Sequence, residues 1–307
     1  MSRKYRTEQQ KLSQLNAEVQ EELDRVKLQR EQIFGPLIWK DLPHLKIRIL
    51  DLKPARYKDV LNLIKENYFE ENLLFRNVQF SKDEQSVQSF LGRVSFICNY
   101  KQSIIAVDLD SDQIAGVLLL RAIPKGDCAR IFSVVEIING DAFKEVRRFV
   151  SQVTKKVNIY DYFGVDTYLE YVLLCVDQKY RRQGIGFEMM KCGNKIARSL
   201  RCPVIAGVFE SNKFQKYAER IGMKILYLIS YLDYKDEDGE MIFAEPGAGN
   251  YFCALMASEV RPPTPPPMPP PKDKFKIMEE RKLTRVQRLA EIALEKSKSQ
   301  RKTSVNA

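Results

Sequence analysis

Residues 177–183, Asp-Gln-Lys-Tyr-Arg-Arg-Gln, are polar and basic, and they run directly into Gly184-Ile185-Gly186. Arginines beside a Gly-x-Gly have a definite chemistry when a helix begins at the glycines. Several backbone N–H groups then stand at the positive end of the helix dipole with no Cβ in front of them, and a phosphate is the group that binds there. Arg181 and Arg182 would add charge-assisted hydrogen bonds to the same anion. Two familiar phosphate loops are excluded. No Gly-Lys-Ser/Thr follows, as a Walker loop requires, and Met189 stands where a dinucleotide fingerprint has its third glycine.

Such a loop needs a strand to deliver it and a helix to carry it on. Residues 169–176, Leu-Glu-Tyr-Val-Leu-Leu-Cys-Val, form an apolar run too short for a lone helix, which predicts a strand buried on both faces. Ile185, Met189, Ile196 and Leu200 then fall at helical spacing on one face. The same patterning extends outward. Residues 45–52 alternate apolar and basic and predict a first strand, and Pro54 opens a helix to about residue 69. Helical segments follow to about residue 98, then a hairpin of 103–107 and 113–120 around the turn 108–112. A helix is predicted over 141–157, a strand over 203–208, a helix over 212–221, and strands over 224–231 and 251–256. The fold class is α/β (α+β), a mixed sheet of about six to seven strands flanked by helices over residues 45–258.

Outside that region the composition changes. Residues 1–35 place Leu12, Val19, Val26 and Ile33 at seven-residue intervals among charged residues, predicting a charged helix that Gly35-Pro36 ends. Residues 259–272 hold a proline-rich run that enforces polyproline II, as a spacer or as a ligand for an aromatic groove. Residues 273–297 predict a basic amphipathic helix with Leu283, Val286, Leu289, Ala290 and Ala293 on one face, and 298–307 a disordered tail. The formal charge is +10, of which +7 lies from Arg261 onward. A basic tail suits an acidic protein partner, and without interleaved aromatics it does not make a nucleic-acid-binding fold. The one histidine, His44, excludes a His-based triad or a multi-histidine metal site. No apolar run approaches the ~20 residues of a membrane span, and residues 1–5 lead into charge, with no signal-peptide core. Six scattered cysteines without Cys-x-x-Cys predict reduced core thiols, and the expected setting is cytoplasmic.

Arg181-x-x-Gly184-x-Gly186 after a buried strand resembles the acetyl-CoA pyrophosphate loop of the GCN5-related N-acetyltransferase (GNAT) superfamily, and the element order over 45–258 is similar to that fold. Within it, Val157-Asn158-Ile159-Tyr160-Asp161, Val176-Asp177 before Tyr180-Arg181, and Glu219-Arg220-Ile221-Gly222-Met223 resemble the insect arylalkylamine N-acetyltransferase branch, whose members acetylate dopamine, serotonin and octopamine. The resemblance implies acetyl-CoA as acyl donor, no metal, and direct transfer to a small amine in a ternary complex. It implies a cofactor set of Leu174, Cys175 and Val176 on a splayed strand, Arg181, Arg182, Gln183, Gly184, Ile185 and Gly186 in the loop, and Asn212 after the next strand.

Acceptor amines have pKa values near 10, so at pH 7 only about one in a thousand is neutral, a cost of roughly 4 kcal/mol that a base must offset. Glu170 is the first candidate, because its spacing to Arg181 is similar to that of the strand glutamate in histone acetyltransferase relatives, and its apolar sequence neighbours would raise its pKa. The chain departs from the arylalkylamine pattern elsewhere. The place of that group's catalytic glutamate falls on Asn72, which cannot act as a base, with Glu71 or Glu70 one or two residues away. Its serines fall on Glu210 and Phe214, with Ser211 nearby, and the usual acid tyrosine falls on Ala218, with Tyr217 adjacent. Two functions follow: an acetyl-CoA-dependent amine acetyltransferase with a changed acceptor, or a GNAT-like interaction module working through its helical, proline-rich and basic extensions.

Overall fold

The computed structural model describes residues 35–127 and 139–260. The predicted helices at 1–35 and 273–297, the tail at 298–307, Cys128 and all but the first two residues of the proline-rich segment 259–272 lie outside the described residues.

Eight strands form one mixed sheet in the order β1-β2-β3-β4-β5-β6-β8-β7. They are β1 (Ile38–Leu42), β2 (Ile47–Asp51), β3 (Ile104–Asp108), β4 (Ile114–Pro124), β5 (Thr167–Val176), β6 (Val204–Phe209), β7 (Lys224–Ser230) and β8 (Phe252–Glu259). The sheet therefore has one strand more than expected and begins at Ile38 rather than at 45. Strand β1 went unpredicted because it is a five-residue edge element between Pro36 and Pro43, too short for alternation to show. His44 sits exposed in the turn that follows it.

One face of the sheet carries α1 (Tyr57–Asn67), α2 (Leu73–Asn77), α3 (Glu84–Cys98) and α4 (Asp141–Lys155), with the short α5 (Ile159–Phe163) at its end. The other carries α6 (Ile185–Ser199) and α7 (Asn212–Arg220). Side-chain caps begin several of these helices. Asp83 accepts from the Ser86 amide ahead of α3, and Asn158 from Tyr160 and Asp161 ahead of α5. The five cysteines within the described residues are buried free thiols.

Two irregularities in β5 shape the site. The register against β4 slips between Leu119 and Leu120, opposite Val172. A bulge there turns the strand over: Leu169 and Tyr171 pack with α6, whereas Leu173 and Cys175 pack with the helices of the opposite face. Parallel pairing of β5 with β6 runs from Leu169↔Ile205 to Tyr171↔Gly207 and stops there. Beyond it the two strands part, leaving β5 from Val172 to Val176 without a strand partner on that side.

Candidate functional site

Strand β5 ends in the predicted loop. Arg182 (φ 64°) and Gly184 (φ 84°) both take the left-handed conformation, and together they reverse the chain into α6. The first turn-closing bond of α6 is Glu188 N–H to Gly184 O (3.1 Å), so the N–H groups of Ile185, Gly186 and Phe187 precede any helical acceptor. A Cβ on Gly186 would lie 3.3 Å from Leu174 Cδ2, a tight contact that glycine avoids where the helix start lies against the opened strand. Leu174, Cys175, Val176, Arg181, Arg182, Gly184, Ile185 and Gly186 all border one cavity of ≈ 290 Å³.

Arg181 is placed differently from expectation. Its Nε donates to Val176 O (2.9 Å), Nη2 to Asn67 O (3.2 Å), and Nη1 pairs with Glu71 Oε1 (2.8 Å). The guanidinium is a strut tying the loop to the end of α1, and Glu71 is its counter-ion at the cavity mouth. Gln183 is exposed and donates to Lys179 O (3.4 Å); it is not a wall of the cavity. Asn212 is also outside the cavity lining, its backbone N–H donating to Asn250 Oδ1 (3.0 Å). Ser211 does border the cavity, but its hydroxyl caps α7 by accepting from Phe214 N–H (3.4 Å). Tyr217 lines the cavity from α7, while Ala218 is fully buried in the core.

The floor of the cavity is a group that sequence reasoning did not single out. Asn72 caps α2, its Oδ1 accepting from Leu74 N–H (3.0 Å) and Phe75 N–H (3.3 Å). With Oδ1 so committed, Nδ2 faces the other way and donates to Glu210 Oε1 (2.8 Å) and to Tyr68 Oη (2.9 Å). Glu210 follows the last residue of β6, and its own carbonyl accepts from Tyr231 Oη (2.6 Å). Burial pushes the Glu210 carboxyl up to about 7, with hydrogen bonds from its backbone and Asn72 pulling the other way. Burial likewise holds the Tyr68 phenol well above its ordinary range and pushes the Cys175 thiol up to about 12. The signal for Glu210 was present as two departures: a carboxylate missing at 72 and an unexpected one at 210. Only the fold shows that they face each other.

Glu170 is elsewhere. It lies on β5 before the bulge, and its Oε2 accepts from Arg121 Nη2 (2.6 Å) across the β4 ladder. The expectation of an apolar setting failed because its cross-strand neighbour, unlike its sequence neighbours, is a guanidinium. Glu170 does not border the loop cavity; it lines a second one of ≈ 100 Å³ beneath α3 and α4. The two cavities meet at Tyr68, Asn72 and Glu210, which border both. Among the described residues no cluster of His, Cys, Asp and Glu is suited to a metal ion, and no helix is long and apolar enough to cross a membrane.

No protein-family model matches the sequence, and neither does any curated protein. Solved structures do match. Arylalkylamine N-acetyltransferase 2 of Aedes aegypti is 22% identical, with a TM-score of 0.63 over 70% of this chain and 99% of that one. A mosquito arylalkylamine N-acetyltransferase like 5b is 19% identical, with a TM-score of 0.61 over 69% and 99%. The Drosophila melanogaster polyamine N-acetyltransferase, which forms N-acetylagmatine, is 13% identical, with a TM-score of 0.58 over 69% and 99%. The eight-stranded α+β architecture of this chain is thus the GNAT fold of these acetyltransferases.

Proposed function

We propose that this chain, having that fold, is an N-acetyltransferase that moves an acetyl group from acetyl-CoA to a primary amine by direct transfer. The observation that carries this reading is a single cavity with free helix-start amides at one end, an opened strand along its wall and a carboxyl poised near neutrality on its floor. When bound, acetyl-CoA supplies an acetyl carbon activated as a thioester.

The amides of Ile185 and Gly186 and the side chain of Arg182 suit its diphosphate. Main-chain N–H groups of β5 beyond the bulge suit a polarised carbonyl, since they are fixed in place and lack a strand partner on that side. Glu210 takes the proton from the acceptor ammonium, and a carboxyl with pKa about 7 is both substantially ionised and basic enough at neutral pH. Asn72 orients it. Cys175 borders the same cavity but is held as a thiol, which disfavours an acyl-cysteine route and supports transfer in a ternary complex. Tyr217 offers an O–H to the departing sulfur.

Titration calorimetry with acetyl-CoA, followed by thiol release across a panel of primary amines, tests this. Micromolar binding and amine-dependent release are expected, and Gly186→Val, which presses on Leu174 and shields the loop amides, should weaken binding at least about tenfold. A protein that does not bind acetyl-CoA is not an acetyltransferase of this kind.

A second expectation concerns Asn72→Asp. This change keeps the α2 cap but sets a carboxylate against Glu210, so the pair shares a proton and the acidic limb of the pH–rate profile moves upward by roughly one unit or more. Activity at pH 7 falls about tenfold and recovers toward pH 9. A profile that does not move would detach Glu210 from the proton transfer.

A further inference from the structure

The cavity beyond Glu210 has two unlike ends. Toward Glu210 stands Tyr68, which shares the Asn72 amide with it, with Phe75 and Phe90 against its ring and Phe143 against Phe90. At the other end stand Arg93 from α3 and Arg147 from α4, together with Glu170. Arg121 of β4, only 4% exposed, lies behind Glu170 and is paired with it at 2.6 Å. Three guanidinium groups from three separate elements thus face one carboxylate among the described residues.

Buried charges are ordinarily matched, because an unpaired ion inside a protein loses its hydration without recovering it. Around the buried Arg121 and the partly buried Arg93 and Arg147 the balance among the described residues is short by two negative charges. The Nε atoms of Arg121 and Arg147 are both buried without a hydrogen-bond acceptor among the described residues. Burial, and after it the neighbouring Arg147 and Arg121, push the Arg93 guanidinium down to about 9, and burial lowers Arg147 as well. A cluster that served only to hold the helices to the sheet would be expected to pair its charges. This one keeps donors in hand beside a cavity.

We propose that the acceptor is a primary amine bearing a carboxylate at its far end, with the amine at Glu210, an apolar spacer along the aromatic walls, and the carboxylate on Arg93 and Arg147. The fork of a guanidinium matches a carboxylate with two parallel N–H bonds, which also fixes how deep the acceptor sits. Glu170 then has a definite part. It neutralises Arg121 and leaves the other two arginines for the ligand. Cationic polyamines, by contrast, would bring like charge to this end. The proposal rests on the reading of the site as an amine acetyltransferase and narrows its substrate class.

The test uses the full chain and a series of ω-amino carboxylates, β-alanine, γ-aminobutyrate and ε-aminocaproate, each against its own neutral amide and its aminophosphonate. At the preferred length, kcat/KM for the carboxylate should exceed that for the amide by roughly tenfold or more, the size of a charge-assisted hydrogen-bond contribution. Arg147→Gln and Arg93→Gln should each lower that ratio by about tenfold, acting mainly on KM. Equal use of carboxylate and amide by the unaltered protein overturns the proposal, as does preference for the phosphonate. Saturation-transfer NMR of the same amino acids separates the two levels of the argument. Carboxylate binding that Arg147→Gln removes, in a protein that fails to turn over acetyl-CoA, would leave the anion site standing and acetyl transfer fallen. Turnover of neutral amines alone would do the reverse.

Discussion

Glu210→Gln is expected to lower kcat for acetyl transfer at pH 7 by about 10²–10⁴-fold, the usual contribution of a positioned general base, while the protein becomes more stable in mild alkali. The two effects share one cause. Burial raises the folded-state pKa of Glu210 from its ordinary 4.5 to about 7, so the folded chain holds a proton that the unfolded chain has released. Below about pH 4.5 both states are protonated and nothing is lost. Stability then falls as pH rises through that window, and above pH 7 the loss is complete, amounting to about 3 kcal/mol. Glutamine has no proton to give up, and its Oε1 still accepts from Asn72. Thermal melts should show the variant above the unaltered protein at pH 8 and the two converging toward pH 4. A variant that retains its rate would return the base to Glu170, the other strand carboxylate, and Glu170→Gln provides that comparison directly.

Gly193→Ala is expected to destabilise the fold by about 3 kcal/mol, near the top of the range for adding one carbon to a packed interior. Built on this backbone, the new Cβ would stand 2.1 Å from Tyr171 Oη and 2.5 Å from the ring carbons Cε1 and Cζ. The ring has nowhere to go, since Tyr171 is 6% exposed and its hydroxyl donates to Met190 O (2.8 Å) in the same helix. Helix α6 must therefore lift off the sheet. Its first residues carry the amides proposed to bind the diphosphate, some 12 Å along the axis from residue 193, so the lift also reaches the loop. Urea titration should show a lower midpoint at unchanged slope. Pairing the change with Tyr171→Leu should recover part of the loss, a coupling of at least about 1 kcal/mol. Strict additivity of the two substitutions would mean that the contact does not hold the helix in place.

These residues also mark where sequence reading stops. The strand-loop-helix at 167–199 was legible because every signal in it is local: an apolar run, two glycines and a 3.6-residue periodicity. The hairpin of β3 and β4 and the helices α1, α3, α4, α6 and α7 were legible for the same reason. Strand β1 was not, since its pairing with β2 comes from the register Ile38↔Leu50 to Leu42↔Ile47 and not from its own composition. Arg181 shows the limit within a motif. It borders the cavity, but a side chain with three protein acceptors is a brace, and acceptors at and beyond the end of α1 cannot be seen from the loop.

By itself the sequence determined the order of the strands from β2 to β8 and the strand-loop-helix with its two glycines, because turn residues and periodicity act over a few positions of chain. Only the tertiary structure decided which carboxylate is available. Glu170 meets Arg121 across a β-ladder, 49 residues away, whereas Glu210 meets Asn72 across 138 residues, where burial lifts its carboxyl to about 7. A pKa is set by what surrounds a group in space, by its burial, neighbouring charges and hydrogen bonds. None of these follows from the residues on either side of it in the chain.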